Sequence, residues 1–354
     1  MEPRIYYVGT FSAVVRLETR KLQKVGYSTH SISLPSRWVK EWKLKQGDSI
    51  ILTSWRDGSL NLVPEPVARN LDGITDECII DSDLCSEPGM LMRLVIGNYV
   101  LGRDNYRISS TRRISSGHIE EARATTRRLI GLSIIEECSD RIIIQCSIDS
   151  AKFNIQSLIR RLSIIALTML DEAMQTFDTS DPSFAKDAIS RENEVDMIFR
   201  LTLRLLMSAQ EDRTIAERIG LKDPLHILGN VLVSKYLELV ADQAESIARR
   251  VLEAGRFRDT LEEAHTSVIM NLGKMASSIV TDAVDCFLSQ DIQKANRVLE
   301  TRALMDTEER RFTSGAMSVR AIAQGLAMIS EKGAGIAEVA FDRALETPSK
   351  ICHL

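Results

Sequence analysis

The spacing of apolar and polar residues changes along the chain, and each change marks an element. In Ser31-Ile32-Ser33-Leu34 the two kinds alternate, as in a strand covered on one face. Ser49–Thr53 and Ser59–Val63 are two more β-rich runs, and Arg56-Asp57-Gly58 between them predicts a hairpin turn. Pro35 ends the strand before it, Ser36 is placed to cap a short helix, and Trp38 and Trp42 fall on one face of that helix as core or interface residues.

From Asp76 to Asp149 strands and helices alternate. ECIID, NYRISST, LSIIEEC and RIIIQCS are the strands, with helices from Pro88 to Leu101 and from His118 to Ile130 and a tight turn at Ser139-Asp140. The order β-α-β-α-β-β predicts a small α/β module. It holds no Gly-rich phosphate loop, nucleophile elbow or metal-ligand spacing, so it is read as a sensor or an assembly spacer. Its Arg112-Arg113 and Arg127-Arg128 pairs are read as a solvated face.

From Ser150 onward the pattern is helical throughout. In Asp181-Pro182 and Asp223-Pro224 an N-cap aspartate precedes a proline at the first helical position. The predicted helices cover 151–176, 182–210 and 223–254, then, after Gly255-Arg256, 258–288, 291–314 and 318–346. The second three echo the first: ANRVLETRALMDTEERRF follows AKDAISRENEVDMIFR, and IAQGLAMISEKGAGIAE follows VSKYLELVADQAESIAR. The body is thus a tandem pair of three-helix units.

Two acids stand four residues apart in each of two segments, Glu192 with Asp196 and Glu238 with Asp242. On a helix that spacing puts both carboxylates on one face, where like charges weaken an isolated helix by roughly 0.2–0.5 kcal/mol. A shared cation would repay the arrangement, and antiparallel helices would bring all four carboxylates to one patch. Oxygen donors of this kind suit Mg, Mn, Ca or iron. The alternative is that all four are solvated helix-face acids.

Composition changes the picture in three places. At 354 residues the chain is longer than most single cores, so two or three domains are expected. Every long apolar run is broken by Arg, Glu or Asp, and the first residues lack a signal-peptide core, which predicts a cytoplasmic protein without membrane insertion. Through Asn70 the chain carries eleven bases and six acids, a net +5, which leaves −9 for the remainder of a total of −4. A basic head on an acidic body suits a head that meets a polyanion. The six cysteines include no C-x-x-C, and neither they nor the five scattered histidines are assigned to chemistry.

The run R-K-L-x-x-x-G, S-L-P-x-x-W, L-x-x-G-D-x-I and D-G-x-L-x-L-x-P, within residues 16–66, resembles a SpoVT/AbrB-type swapped-hairpin domain. The resemblance implies an obligate dimer that interleaves two chains and binds DNA through basic residues, here Arg20, Lys21, Lys24, Arg37 and Lys40. Tyr27 follows Gly26 where many members have an arginine, and the segment to Leu34 is longer than in short bacterial relatives. Residues 1–15 are a variable extension or an extra strand.

The tandem body, with E/D-x-x-x-D in its second helix and E-x-x-x-D followed by a small residue and I-A in its third, resembles PhoU, the regulator of phosphate uptake. The order of the parts (16–66 head, 72–149 α/β module, 150–254 and 256–346 three-helix repeats) is similar to archaeal phosphate-uptake regulators. The fold class expected is therefore multi-domain α+β with a C-terminal all-α PhoU-like part. The resemblance implies that Glu192, Asp196, Glu238 and Asp242 hold a divalent or iron-type metal ion. The matching positions of the second repeat are Arg302, Asp306, Ala327 and Glu331, so one metal site per chain is expected.

The leading functional expectation is a non-enzymatic regulator of phosphate homeostasis that binds operator DNA and contacts a phosphate transporter or its sensor kinase. An adaptor whose head only dimerises is the alternative. Metal-dependent hydrolysis ranks last, since no His, Ser or Cys constellation accompanies the acids.

Overall fold

The computed structural model describes residues 18–54, 58–65, 77–221, 223, 225–254, 263–311 and 317–346. The extension before Arg16, the turn residues Arg56 and Asp57 and the break at Gly255-Arg256 lie outside the described residues. The chain forms two units, Met1–Thr75 and Asp76–Leu354.

The first unit consists of two hairpins and one short helix. Strands β1 (Gln23–Val25) and β2 (Thr29–Ser31) pair antiparallel, with Gly26 at φ +72° in the turn between them. Strand β2 stops at Ser31, short of the alternation that runs to Leu34, because β1 offers no partner beyond Gln23. Helix α1 spans Ser36–Glu41, and Pro35, not Ser36, occupies its cap position. Proline has no side-chain acceptor, so the cap makes no side-chain hydrogen bond. Strands β3 (Ile50–Ser54) and β4 (Leu60–Pro64) form the second hairpin, with Ile50 opposite Pro64 and Ser54 opposite Leu60.

The described residues of this unit build no core of their own. Among its described residues only Pro64 is buried. Leu22 is 68% exposed, Leu52 62% and Leu60 58%, and Val25, Ile32, Trp42 and Ile51 are exposed as well.

The second unit begins with the α/β module. Its sheet runs β5 (Glu77–Asp81), β6 (Asn105–Ser109), β8 (Arg141–Cys146), β7 (Leu132–Glu137). Strands β5 and β6 are parallel and joined through helix α2 (Met90–Val100), while β8 is antiparallel to both its neighbours. Helix α3 (Ser116–Arg127) starts at the Ser115 cap, whose hydroxyl accepts from the His118 amide at 3.1 Å. Tyr106, Ile108, Ile142 and Ile144 alternate inward from the sheet onto Leu91, Val95, Tyr99 and Ala122 of the two helices.

Six long helices follow: α4 (Ile155–Thr179), α5 (Pro182–Glu211), then α7 (His226–Ala254), α8 (Glu263–Ser289), α9 (Ile292–Arg311) and α10 (Met317–Ala344). Helix α4 starts later than its pattern suggests. Asp149 takes the Ala151 amide in a 3-10 turn over Ser150–Lys152, and Asn154 then caps the helix through the Ser157 amide. The Asp181 cap is found as read, with Pro182 at the first helical position. A short helix α6 (Arg213–Arg218), capped by Asp212, was not anticipated.

Burial follows the repeat over the first half of α5 and its counterpart α9. Ala185, Ala188 and Val195 on α5 are buried, and so are Ala295, Val298 and Met305 on α9. Helices α7 and α10 pack together at the centre, and there Gly335 lets the helices approach closely. A Cβ at Gly335 would stand 2.7 Å from Cζ of Tyr236.

The module is fastened to the bundle by Arg204 of α5, which is 5% exposed. Its guanidinium donates to the Tyr99 and Arg103 carbonyls at 2.8 Å each and to the Gly102 carbonyl at 3.0 Å, pairs with the Asp104 carboxylate, and lies 5.0 Å over the Tyr99 ring. These carbonyls lie at and just beyond the end of α2, where the helix dipole favours a cation; the Tyr99 carbonyl also accepts from the Gly102 amide and the Arg103 carbonyl from the Tyr106 hydroxyl.

Candidate cation face and nucleic-acid interface

Helices α5 and α7 pack side by side and carry the four acids singled out by spacing. The carboxylates act on one another across the two helices. Asp242 is pushed up to about 6, first by partial removal from water and then by Glu238, with Asp196 and Glu192 adding to it and Lys235 opposing. Burial also raises Glu192, then Asp196 and Glu245, while Arg128 and Arg200 oppose.

Two of the acids are already engaged along their own helices. Asp196 accepts from Arg200 at 2.5 Å, and Glu238 from Lys235 at 2.5 Å, with the Lys235 ammonium 5.3 Å from the Phe199 ring centre. Among the described residues, Glu192 and Asp242 have no such ion pair. The four acids therefore converge within electrostatic range. No group of three or more His, Cys, Asp or Glu among the described residues stands close enough to hold a metal ion as placed.

The donor set fits a hard cation in kind: oxygen only, partly removed from water, and crowded by like charge. For three oxygens to meet, Asp196 or Glu238 must turn from Arg200 or Lys235. Both basic neighbours are legible as i+4 and i−3 partners, although the spacing argument considered only the acids.

The second half answers with a cation of its own. Arg302 takes the place of Glu192 and pairs with Asp306. Burial pulls the guanidinium below its ordinary value, with Glu331 of α10 opposing.

Arg20, Lys21, Lys24, Arg37 and Lys40 of the head are exposed. Arg20 pairs with Glu18, Lys24 lies opposite His30 in the first hairpin, and Lys21 precedes that hairpin. Arg37 and Lys40 sit one turn apart on α1, lining a shallow surface depression with Ser36 and Glu41. The structure brings Arg37 and Lys40 to one face and leaves Arg20 and Lys21 on the segment that leads into β1, with Lys24 in β1 itself. Tyr27 at the hairpin tip is fully exposed.

Residues 159–251 match the family described as PhoU domain. The matched stretch runs from α4 to α7 and contains Glu192, Asp196, Glu238 and Asp242. Among solved structures the chain is similar to PhoU from Pseudomonas aeruginosa, at 17% identity and a TM-score of 0.47, covering 55% of this chain and 96% of that one. It is also similar to the phosphate transport system regulatory protein PhoU from Streptococcus pneumoniae, at 14% identity and a TM-score of 0.45, covering 52% and 91%. Comparison with curated proteins returned no match. Among the described residues no helix is long and apolar enough to cross a membrane.

Proposed function

We propose that the chain regulates phosphate uptake, with a cation-responsive helical body and a dimeric, DNA-binding head. The observation that carries this reading is the PhoU-domain match over 159–251, which includes two pairs of acids on packed helices. A body of this kind acts by contact with a phosphate transporter or its sensor kinase and needs no catalytic group.

The dimer is supported by the apolar side chains that the described residues of the head leave exposed. Burying Leu22, Val25, Ile32, Trp42, Ile51, Leu52 and Leu60 would contribute roughly 1.5–3 kcal/mol per side chain, and a second copy of the same hairpins offers a matching surface. DNA binding is supported by the exposed Arg20, Lys21, Lys24, Arg37 and Lys40, which suit phosphate contacts. The exposed apolar surface equally supports the adaptor reading, in which the head only joins two chains.

The regulatory role is tested by removing the gene from its host and measuring uptake of labelled phosphate in phosphate-replete cells. Uptake that no longer responds to phosphate supply, restored by the intact gene, is the expected result. Unchanged uptake would overturn the reading.

A further inference from the structure

Helices α2 and α5 pack together at the seam between the module and the bundle, and a cleft of about 290 Å3 opens there. Leu101, Gly102 and Arg103, just past the end of α2, line one wall. The end of α5 and the start of α6 line the other, through Ser208, Glu211, Asp212 and Ile215. Gly102, at φ +84°, lets the walls approach, since a Cβ there would stand 2.6 Å from the Ser208 hydroxyl oxygen.

Opposite charges line this cleft without pairing. Among the described residues neither Arg103 nor Glu211 has an ion pair, and the Arg103 guanidinium donates to the Asn98 side-chain oxygen at 2.6 Å. Asp212 gives one oxygen, Oδ1, to the amide and the hydroxyl of Thr214, at 2.7 Å each, as the cap of α6. Its other oxygen is left for a further donor. Leu101, which is exposed, and the half-buried Ile215 add apolar surface to the two walls. A base on one wall therefore faces acids on the other across an apolar-edged gap.

We propose that this cleft binds a small apolar α-amino acid, with its carboxylate on Arg103, its ammonium on Glu211 and Asp212, and its side chain over Leu101 and Ile215. A guanidinium takes a carboxylate through two parallel N–H···O bonds, and the facing acids accept from an ammonium. Two acids against one base disfavour a phosphate, whose second charge would meet no counterpart. The volume lies just below the roughly 300–1,000 Å3 of pockets for drug-sized ligands, which suits an amino acid and not a nucleotide. Ser208 stands about three turns beyond Asp196 along α5, so the cleft is separate from the acidic face. Arg204, one turn before Ser208, donates to the Gly102 carbonyl at 3.0 Å, so a ligand tying Arg103 to Glu211 adds to the same fastening. Occupancy thus holds the module more firmly on the bundle.

The test is calorimetric titration of the full chain with L-leucine, and with two analogues that each lack one of its charges, isocaproate without the amine and isopentylamine without the carboxylate. Wild type is compared with Arg103→Ala and Glu211→Gln, and hydrogen exchange is followed over residues 101–103 and 213–218. Glu211 is exposed, so Glu211→Gln leaves the packing untouched, and the analogues need no variant at all. L-Leucine should bind wild type and slow exchange in both segments. Each analogue, and each variant with L-leucine, should bind on the order of 10-fold more weakly. No binding of L-leucine at millimolar concentration would overturn the inference, and binding unchanged in both variants would do the same by placing the amino acid elsewhere. Isopentylamine binding as tightly as L-leucine would leave Arg103 without a role and overturn the ligand class.

Discussion

Arg204 and Asp104 close an ion pair between the bundle and the α/β module, and the same guanidinium takes three backbone carbonyls at the end of α2. The arginine is buried while Asp104 is largely exposed, so the carbonyls and the Tyr99 ring do much of the holding. Replacing Arg204 by leucine takes this donor from the Gly102 carbonyl and the partner from Asp104, while the Tyr99 and Arg103 carbonyls keep the Gly102 amide and the Tyr106 hydroxyl. The expected cost is about 3 kcal/mol, read as a lowered midpoint in urea unfolding of the full chain. Arg204→Lys should recover only part of it, since one ammonium cannot serve four acceptors in the guanidinium's planar geometry. A loss under about 1 kcal/mol for Arg204→Leu would contradict this account of the seam.

Asp242 sets a pH dependence of definite sign. Its folded carboxyl titrates at about 6, above the ordinary 3.8, so between those values the folded state holds the proton more firmly than the unfolded chain does. Ionisation therefore costs the folded state, and stability falls as pH rises from about 4 to about 6. Asp242→Asn should flatten this part of the stability curve and raise the melting temperature at pH 7. A wild-type curve that rises across the same window, with no change in the variant, would show that the crowding is absent.

Arg302 tests whether the second half is closed by its own cation. Arg302→Glu would set a carboxylate beside Asp306 and across from Glu331, restoring the acid found at Glu192 in the first repeat. Without divalent ions the variant should melt below wild type. Added Mn2+ should restore more stability to it than to wild type. Equal response in both would mean that the second half cannot form such a face.

Gly335 gives a packing prediction with an internal control. Its added Cβ would meet Tyr236 at 2.7 Å from Cζ and 2.9 Å from Cε2, so Gly335→Ala should destabilise by about 1–3 kcal/mol. Trimming the ring in Tyr236→Leu should make the same glycine change cheaper. Additive costs in the double variant would place the strain elsewhere.

Most of the helical body is legible in the sequence because its signals are local. The Asp181-Pro182 start needs only neighbouring residues, and the register of the repeat shows in the matched small residues Ala185 and Ala295. The alternation at Ser31–Leu34 misleads because a strand also needs a partner, and β1 begins only at Gln23, opposite Ser31. The acids of the candidate site were visible as pairs, and Arg200 and Lys235 could have been found by the same spacing rule. Arg204 was not visible: Asp104 lies 100 residues away and Tyr99 105, and only the fold brings them together.

The proposed function joins a dimeric, DNA-binding head to a cation-responsive body. Its most direct test is DNA binding by the purified full chain at low and moderate salt, with and without Mn2+, comparing wild type with the triple variant Arg20→Ala/Lys21→Ala/Lys24→Ala, whose dimer is checked by light scattering. The account predicts salt-sensitive binding by wild type, altered by Mn2+, and lost in a triple variant that remains a dimer. A folded wild-type dimer that binds no DNA at either salt would contradict it and leave the head as a device for joining two chains.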